Sequence, residues 1–69
     1  MDIYQISRLQ HGEVLHHRSL KNADGTPVRC RVTGEPKAYK RVPENVRVPV
    51  KYGMYDSFYL TKDNCDEWK

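Results

Sequence analysis

Two stretches of the chain, "VRCRV" and "VRVPVKY", alternate between apolar and polar residues with a period of two. Arginine and lysine fill most of the polar positions. The apolar positions are Val28, Cys30, Val32, Val46, Val48, Val50 and Tyr52. This period is typical of strands that bury one side and expose the other. The pattern predicts a sheet with a valine-rich core side, which Phe58 and Leu60 continue.

Turn signals divide the chain into short runs. Glycine or proline occurs in each of the breaks "DGTP", "TGEP", "VPEN" and "YGMYD". The runs between the breaks cover residues 14–20, 28–33, 37–42, 46–52 and 57–60. Short runs with turns this close together predict an antiparallel meander of four or five strands. Pro49 lies inside one run and cannot donate a ladder hydrogen bond, so it predicts an edge strand or a bulge.

The segment "LTKDNCDEW" predicts a short C-terminal helix. Thr61 is a suitable N-cap, and Asp63 would lie in the first turn, where the helix dipole stabilises a carboxylate. Trp68 would then fold back over the open apolar face of the sheet. The predicted fold class is therefore α+β and β-rich, a small antiparallel meander with a short C-terminal helix.

The N-terminal residues carry a weaker helical pattern. Ile3, Ile6 and Leu9 are spaced by three, which favours one or two helical turns after Asp2. A chain of 69 residues allows one domain, so we assign residues 1–69 to a single unit with residues 1–17 as its N-terminal segment.

Several classes of protein are excluded by the composition. No apolar run approaches the roughly 20 residues that cross a bilayer, and the first fifteen residues lack the apolar core of a secretory signal. We therefore expect a cytoplasmic protein without a membrane partner. Cys30 and Cys65 are expected to be reduced and buried, since a reducing compartment disfavours a disulfide.

No catalytic or metal-binding motif is recognisable in the sequence. The four glycines stand apart from one another, and no serine lies in a Gly-x-Ser-x-Gly setting. His16 and His17 are neighbours in a predicted strand, so their side chains point to opposite faces and cannot share one ion. We therefore expect no enzyme activity, no cofactor, no metal and no small-molecule substrate.

Positive charge is concentrated in the middle of the chain. Residues 18–51 hold nine of the twelve basic residues and three of the nine acidic ones. Basic residues interleaved with an aromatic can contact phosphates and stack on a base. The predicted nucleic-acid site consists of Arg29, Arg31, Tyr39, Lys40, Arg41, Arg47 and Lys51. The alternative is that this face only keeps the protein in solution and protects strand edges.

A second hypothesis uses the aromatic residues as a protein interface. Tyrosine and methionine are enriched at the centres of interfaces, and several of them follow one another near Gly53. This predicted interface consists of Tyr52, Met54, Tyr55, Tyr59 and Trp68. The alternative is that these aromatics close a thin core.

The stretches "NADGTPVRCRVTGEPKAYKR" and "VPVKYGMYDSFYLTKDNCDEW" resemble small accessory proteins encoded in bacteriophage genomes. The likeness covers about residues 18–68 and includes no catalytic or binding motif. It implies a non-enzymatic protein in the cytoplasm of a host bacterial cell, which binds nucleic acid or binds and inhibits a host protein.

Overall fold

A computed structural model describes residues 1–38, 40, 42–53 and 56–69. Within these residues the short helix α1 precedes five strands, and 3-10 turns lie before β4 and near the C-terminus. The bounds are α1 Ile3–Ile6, β1 Val14–Lys21, β2 Pro27–Val32, β3 Lys37–Ala38, β4 Val46–Tyr52 and β5 Asp56–Leu60, with 3-10 turns at Pro43–Asn45 and Cys65–Glu67. The prediction of a small antiparallel sheet of four or five strands is confirmed, and the sheet has five.

All strand pairs are antiparallel, and β4 is the common neighbour of β2, β3 and β5. β2 and β3 pair with different parts of β4, because Val32 lies opposite Val50 while Lys37 lies opposite Arg47. The four residues 33–36 therefore face only Val48 and Pro49. β2 and β3 act as one long strand of the meander, interrupted by this bulge.

Pro49 explains where the interruption lies. β4 is a central strand, so the expectation of an edge strand at Pro49 is wrong, and the alternative expectation of a bulge is confirmed. The Pro49 carbonyl accepts a hydrogen bond of 2.9 Å from the Thr33 N–H. In an antiparallel strand the N–H and C=O of one residue point to the same neighbour. The N–H that proline lacks would thus point at residues 33–36, where the ladder is already broken.

Gly34 is required by the close approach of Pro49. A Cβ at position 34 would lie 2.9 Å from Cγ of Pro49, and the proline ring cannot rotate away. We expect Gly34→Ala to lower the free energy of unfolding by about 1–3 kcal/mol, the usual cost of overpacking. Urea denaturation of the single variants and of Gly34→Ala/Pro49→Ala measures this. The double variant should recover most of the loss, and additive losses would contradict the clash.

The hairpin between β1 and β2 turns where "DG" predicts it. Gly25 has a φ of 88°, which glycine adopts without a Cβ clash. Asp24 accepts hydrogen bonds from the hydroxyl and the N–H of Thr26, at 2.6 and 3.0 Å. These bonds hold the pKa of the Asp24 carboxyl below its usual value. The turn is therefore built from local hydrogen bonds that need no tertiary contact.

One side of the sheet is buried, and it is the side that the alternation predicts. Most of the buried apolar side chains come from the strands, and Ile6, Cys65 and Trp68 cover them from the two ends of the chain. The core consists of Ile6, Leu15, Val28, Cys30, Val32, Val46, Val48, Val50, Leu60, Cys65 and Trp68. Phe58 is partly buried against it. The opposite side of the sheet has no covering layer among the described residues.

The N-terminal helical turn forms because its cap is complete. The Asp2 carboxylate accepts from the Gln5 N–H at 2.8 Å, and the Gln5 side chain accepts from the Asp2 N–H at 2.9 Å. This reciprocal pair is a capping box. It places Ile6 against the sheet, with Ile3 and Leu9 packed around the core.

The predicted C-terminal helix is not confirmed: residues 62–64 form a turn, and Cys65–Glu67 forms only a short 3-10 turn. The Asn64 side chain accepts from the Thr61 N–H at 2.8 Å and donates to the Tyr59 carbonyl at 3.0 Å, so it holds the segment close to β5. Such side-chain bonds compete with helical ones. The chain then becomes extended at Trp68, which bridges His17 of β1.

No helix in the described part of the chain is long and apolar enough to cross a membrane.

Candidate nucleic-acid interface

Cations of β2, β3 and β4 lie on the uncovered side of the sheet, which we call the basic face. They are Arg29 and Arg31 on β2, Lys37 on β3, and Arg47 and Lys51 on β4. All five are exposed. Each alternates along its strand with a core residue, with the exception of Lys37, whose position follows from its pairing with Arg47. Five positive side chains therefore project from the same face of the sheet.

Like charges lie directly opposite one another on the basic face. Arg31 pairs with Lys51 across β2 and β4, and Lys37 pairs with Arg47 across β3 and β4. Directly opposed residues have Cβ atoms about 4.5–5.5 Å apart, and like charges at that spacing destabilise a sheet. Within residues 1–38, 40, 42–53 and 56–69, these side chains form no ion pair with a carboxylate. Among the described residues, no carboxylate is therefore paired with either set of opposed cations.

Tyr59 of β5 also lies on the basic face. Its side chain is 56% exposed and sits opposite Pro49. The guanidinium carbon of Arg47 lies 5.8 Å from the centre of the Tyr59 ring, within the range of a cation–π contact. The sequence hypothesis assigned Tyr59 to a protein interface, whereas the structure places it on the basic face beside Arg47. The sequence contained a signal for this placement, because Tyr59 alternates with Phe58 and Leu60, which belong to the predicted core side.

Two groups of cations flank a neutral strip. The Arg31 cluster (Arg29, Arg31 and Lys51) borders an open concavity that Val14 and Thr33 also line. The Arg47 pair (Lys37 and Arg47) lies toward the other end of β4. Arg47 and Lys51 are four positions apart along β4, which corresponds to about 13 Å between their Cα atoms. Between the two groups lie Pro49 of β4, Tyr59 of β5, and Thr33, which directly follows β2.

The connection after β3 was also predicted to contribute to this site. Lys40 is exposed and has a φ of 55°, which is unusual for a residue with a side chain. Tyr39 and Arg41 lie outside the described residues. The structure thus places Arg29, Arg31, Arg47 and Lys51 together, and it places Lys40 beyond the end of β3.

The residues of the predicted protein interface do not share one surface. Tyr52 is 39% exposed and has the parity of the core valines, so it lies on the opposite side of the sheet from Tyr59. Trp68 is 5% exposed and belongs to the core. Met54 and Tyr55 lie outside the described residues. Of the described residues in the predicted protein interface, only Tyr52 is exposed on the covered side of the sheet.

Tyr52 does border a second depression, which sequence reasoning missed. It lies on the covered side of the sheet and is lined in part by His17, Leu20, Val28, Tyr52, Phe58 and Trp68. A bulge in β1 creates it, since His16 pairs with Arg29 while Lys21 pairs with Pro27. Nδ1 of His17 accepts from the N–H groups of Ser19 and Leu20, at 3.1 and 2.9 Å. The bulge turns Leu20 outward, and 58% of its surface is exposed.

The two neighbouring histidines face opposite sides, as expected: His16 is exposed and His17 is buried. Over the described residues, no three or more His, Cys, Asp or Glu side chains converge on a point where a metal ion could bind. Cys30 and Cys65 are free and buried, which agrees with the expectation of reduced core thiols.

We expect both thiols to react slowly in the folded protein. Burial raises the pKa of Cys30 from 9.0 to about 11 and also raises the pKa of Cys65. At pH 8 the pKa of Cys30 alone slows its alkylation roughly 100-fold, because the thiolate is the reacting species. The native fold favours the neutral thiol, so this contribution to stability is complete below pH 9 and is lost as the pH rises toward 11.

Alkylation followed by mass spectrometry measures the reaction, with the denatured protein as the control. Both cysteines should be modified rapidly after denaturation and neither before it. Rapid modification of the native chain would contradict buried free thiols. So would a mass that is two hydrogen atoms below that of the reduced protein, which would indicate a disulfide.

Comparisons with protein-family models, curated proteins and solved structures found no match to this chain.

Proposed function

We propose that this protein is a non-enzymatic binding protein whose basic face contacts nucleic acid. The observation that carries the proposal is the pairing of like charges on that face, Arg31 with Lys51 and Lys37 with Arg47, with no carboxylate partner in the described part of the chain. A polyanion would relieve the repulsion within both pairs at once. Nucleic acid is the common polyanion whose phosphates arginine and lysine bind.

A face used only to keep the protein in solution would not need this arrangement. Net charge prevents association wherever it lies on the surface, and like charges placed directly opposite cost roughly 0.2–1 kcal/mol per pair. A mixture of positive and negative side chains with the same net charge would keep the protein in solution equally well. The exposed Tyr59 beside Arg47 adds an aromatic surface that a purely solvated face does not require.

Salt dependence is the direct test. We expect the affinity for a labelled oligonucleotide to fall linearly on a log–log plot against salt concentration, because phosphate contacts release counterions. Arg31→Ala and Arg47→Ala should each weaken binding to all sequences alike and reduce the slope by about one. Fluorescence anisotropy at several salt concentrations gives both quantities.

Arg8→Ala is the matched control, since Arg8 is exposed just after α1, the helix that packs against the covered side of the sheet. It should leave the slope unchanged. Absence of binding at about 50 mM salt, where such contacts are strong, would overturn the proposal. An equal effect of all three substitutions would show that net charge alone governs binding.

A protein partner is the second candidate, and the apolar depression on the covered side favours it. Leu20 and Tyr52 are exposed at its border by 58% and 39%. A host protein held there would be retained after nuclease treatment and lost with Leu20→Ser. The resemblance to phage accessory proteins, and with it the host-cell setting, stays a prediction.

A further inference from the structure

We infer that the ligand of the basic face is a single-stranded segment of nucleic acid, with one base stacked on Tyr59 and phosphates on either side of that base held by the Arg31 cluster and the Arg47 pair. This inference rests on the proposed function and specifies which form of nucleic acid the face accepts. It follows from three features of the face: an accessible ring, the support of that ring, and the spacing of the charges.

The accessible ring is the first feature. Tyr59 presents 56% of its surface on a sheet face that is not covered. Within a duplex the faces of the bases are occupied by their neighbours, so an aromatic side chain on an open sheet can meet a base face only where the strand is unpaired. Sheets that bind single strands use aromatic side chains in this way. A duplex would contact the cations through its phosphates but would make no stacking contact with the Tyr59 ring.

The second feature is that Tyr59 has neighbours on the sheet that limit its movement. Pro49 lies directly opposite it on β4 and is itself packed closely against Gly34. Arg47 lies 5.8 Å from the ring centre. A ring restricted in this way loses little conformational freedom when a base stacks on it. Arginine beside the ring can also contribute a cation–π contact to the stacked base.

The spacing of the charges is the third feature. Tyr59 and Pro49 form one row across the sheet, and Lys51 and Arg47 each lie two residues away along β4 in opposite directions. Two residues of strand correspond to about 7 Å. Each direction therefore offers two opposed cations, Arg31 with Lys51 and Lys37 with Arg47. A nucleotide on Tyr59 would have a pair of cations near each of its two flanking phosphates.

The experiment compares three oligonucleotides of equal length: a single strand, the same strand with abasic sites, and a duplex. Wild type should bind the single strand more tightly than both others. Tyr59→Ala should weaken binding to the single strand by about 5- to 150-fold, which corresponds to the loss of one stacked base. It should leave the salt slope and the affinity for the abasic strand unchanged.

Two further variants separate stacking from other effects. Tyr59→Phe keeps the ring and should bind within a few-fold of wild type. Tyr4→Ala removes an exposed tyrosine, 63% accessible on α1, and should have no effect. The abasic comparison with wild type needs no substitution, so it remains decisive even if Tyr59→Ala is poorly folded.

The outcomes also distinguish this inference from the proposed function. Equal binding of single strand, abasic strand and duplex would overturn the single-stranded inference and leave nucleic-acid binding intact. Absence of binding to all three would overturn both. Preference for the single strand that survives in Tyr59→Ala would place the stacking elsewhere and refute the role of Tyr59.

Discussion

Val48→Asp is expected to abolish folding. Val48 is completely buried near the middle of β4, opposite Leu60 of β5. Along β4, the residues before Val48 pair with β3 and the residues after it pair with β2. An unpaired carboxylate there costs about 3–5 kcal/mol, and the lost valine side chain adds roughly 1.5–3 kcal/mol. The total free energy of unfolding of a chain this short is about 3–10 kcal/mol. The substitution removes most or all of it.

Arg47→Asp is the matched control for this prediction. It introduces the same carboxylate at the adjacent position of β4, but on the basic face, where it would lie opposite Lys37. We expect a melting temperature equal to or slightly above that of wild type, because a like-charge pair becomes an ion pair. Circular dichroism during heating measures both variants. A Val48→Asp protein that melts as wild type does would refute the assignment of the core face.

Trp68→Ala is expected to have the second largest effect, a loss of about 3–5 kcal/mol, the usual cost of emptying a large aromatic site. The Trp68 ring lies edge-on to His17, with centroids 4.9 Å apart, and 5.8 Å from Phe58. Its carbonyl accepts a hydrogen bond of 3.0 Å from the amino group of Met1. The substitution leaves this backbone hydrogen bond in place but removes the ring that packs the C-terminal residues into the core.

Urea denaturation followed by far-ultraviolet circular dichroism measures this loss, since the variant lacks its tryptophan. Trp68→Phe should lose less, because a ring remains between His17 and Phe58. Tyr59→Ala is the opposite control: the ring is on the basic face, so stability should change little. A Trp68→Ala protein as stable as wild type would contradict the closure of the core by the C-terminal residues.

Both the core and the basic face come from the same alternation along β2 and β4. A sheet of one layer has two faces, and in this chain α1 and the C-terminal residues cover only one of them. The uncovered face carries the charge. Substitutions on the core face are therefore expected to change folding, and substitutions on the basic face are expected to change binding.

The candidate site could be predicted from sequence only where it lies on regular strands. The parity of Arg29, Arg31, Arg47 and Lys51 follows from the valines between them, and this part was found as expected. Tyr59 has the same kind of parity signal, but its contact with Arg47 depends on the pairing of β4 with β5. The apolar depression beside Tyr52 depends on the β1 bulge, which no local pattern in "HHRSLK" announces.

The sequence by itself determined which residues share a face and where the β1–β2 hairpin turns, because alternation and turn chemistry act between near neighbours. Only the tertiary structure decided that Pro49 lies in a central strand, since that depends on which strands flank β4. It also decided that the C-terminal residues extend to His17 rather than continue as a helix. Backbone pairing with β1 and burial of Trp68 outweigh a helix propensity that amounts to a few tenths of a kcal/mol per residue.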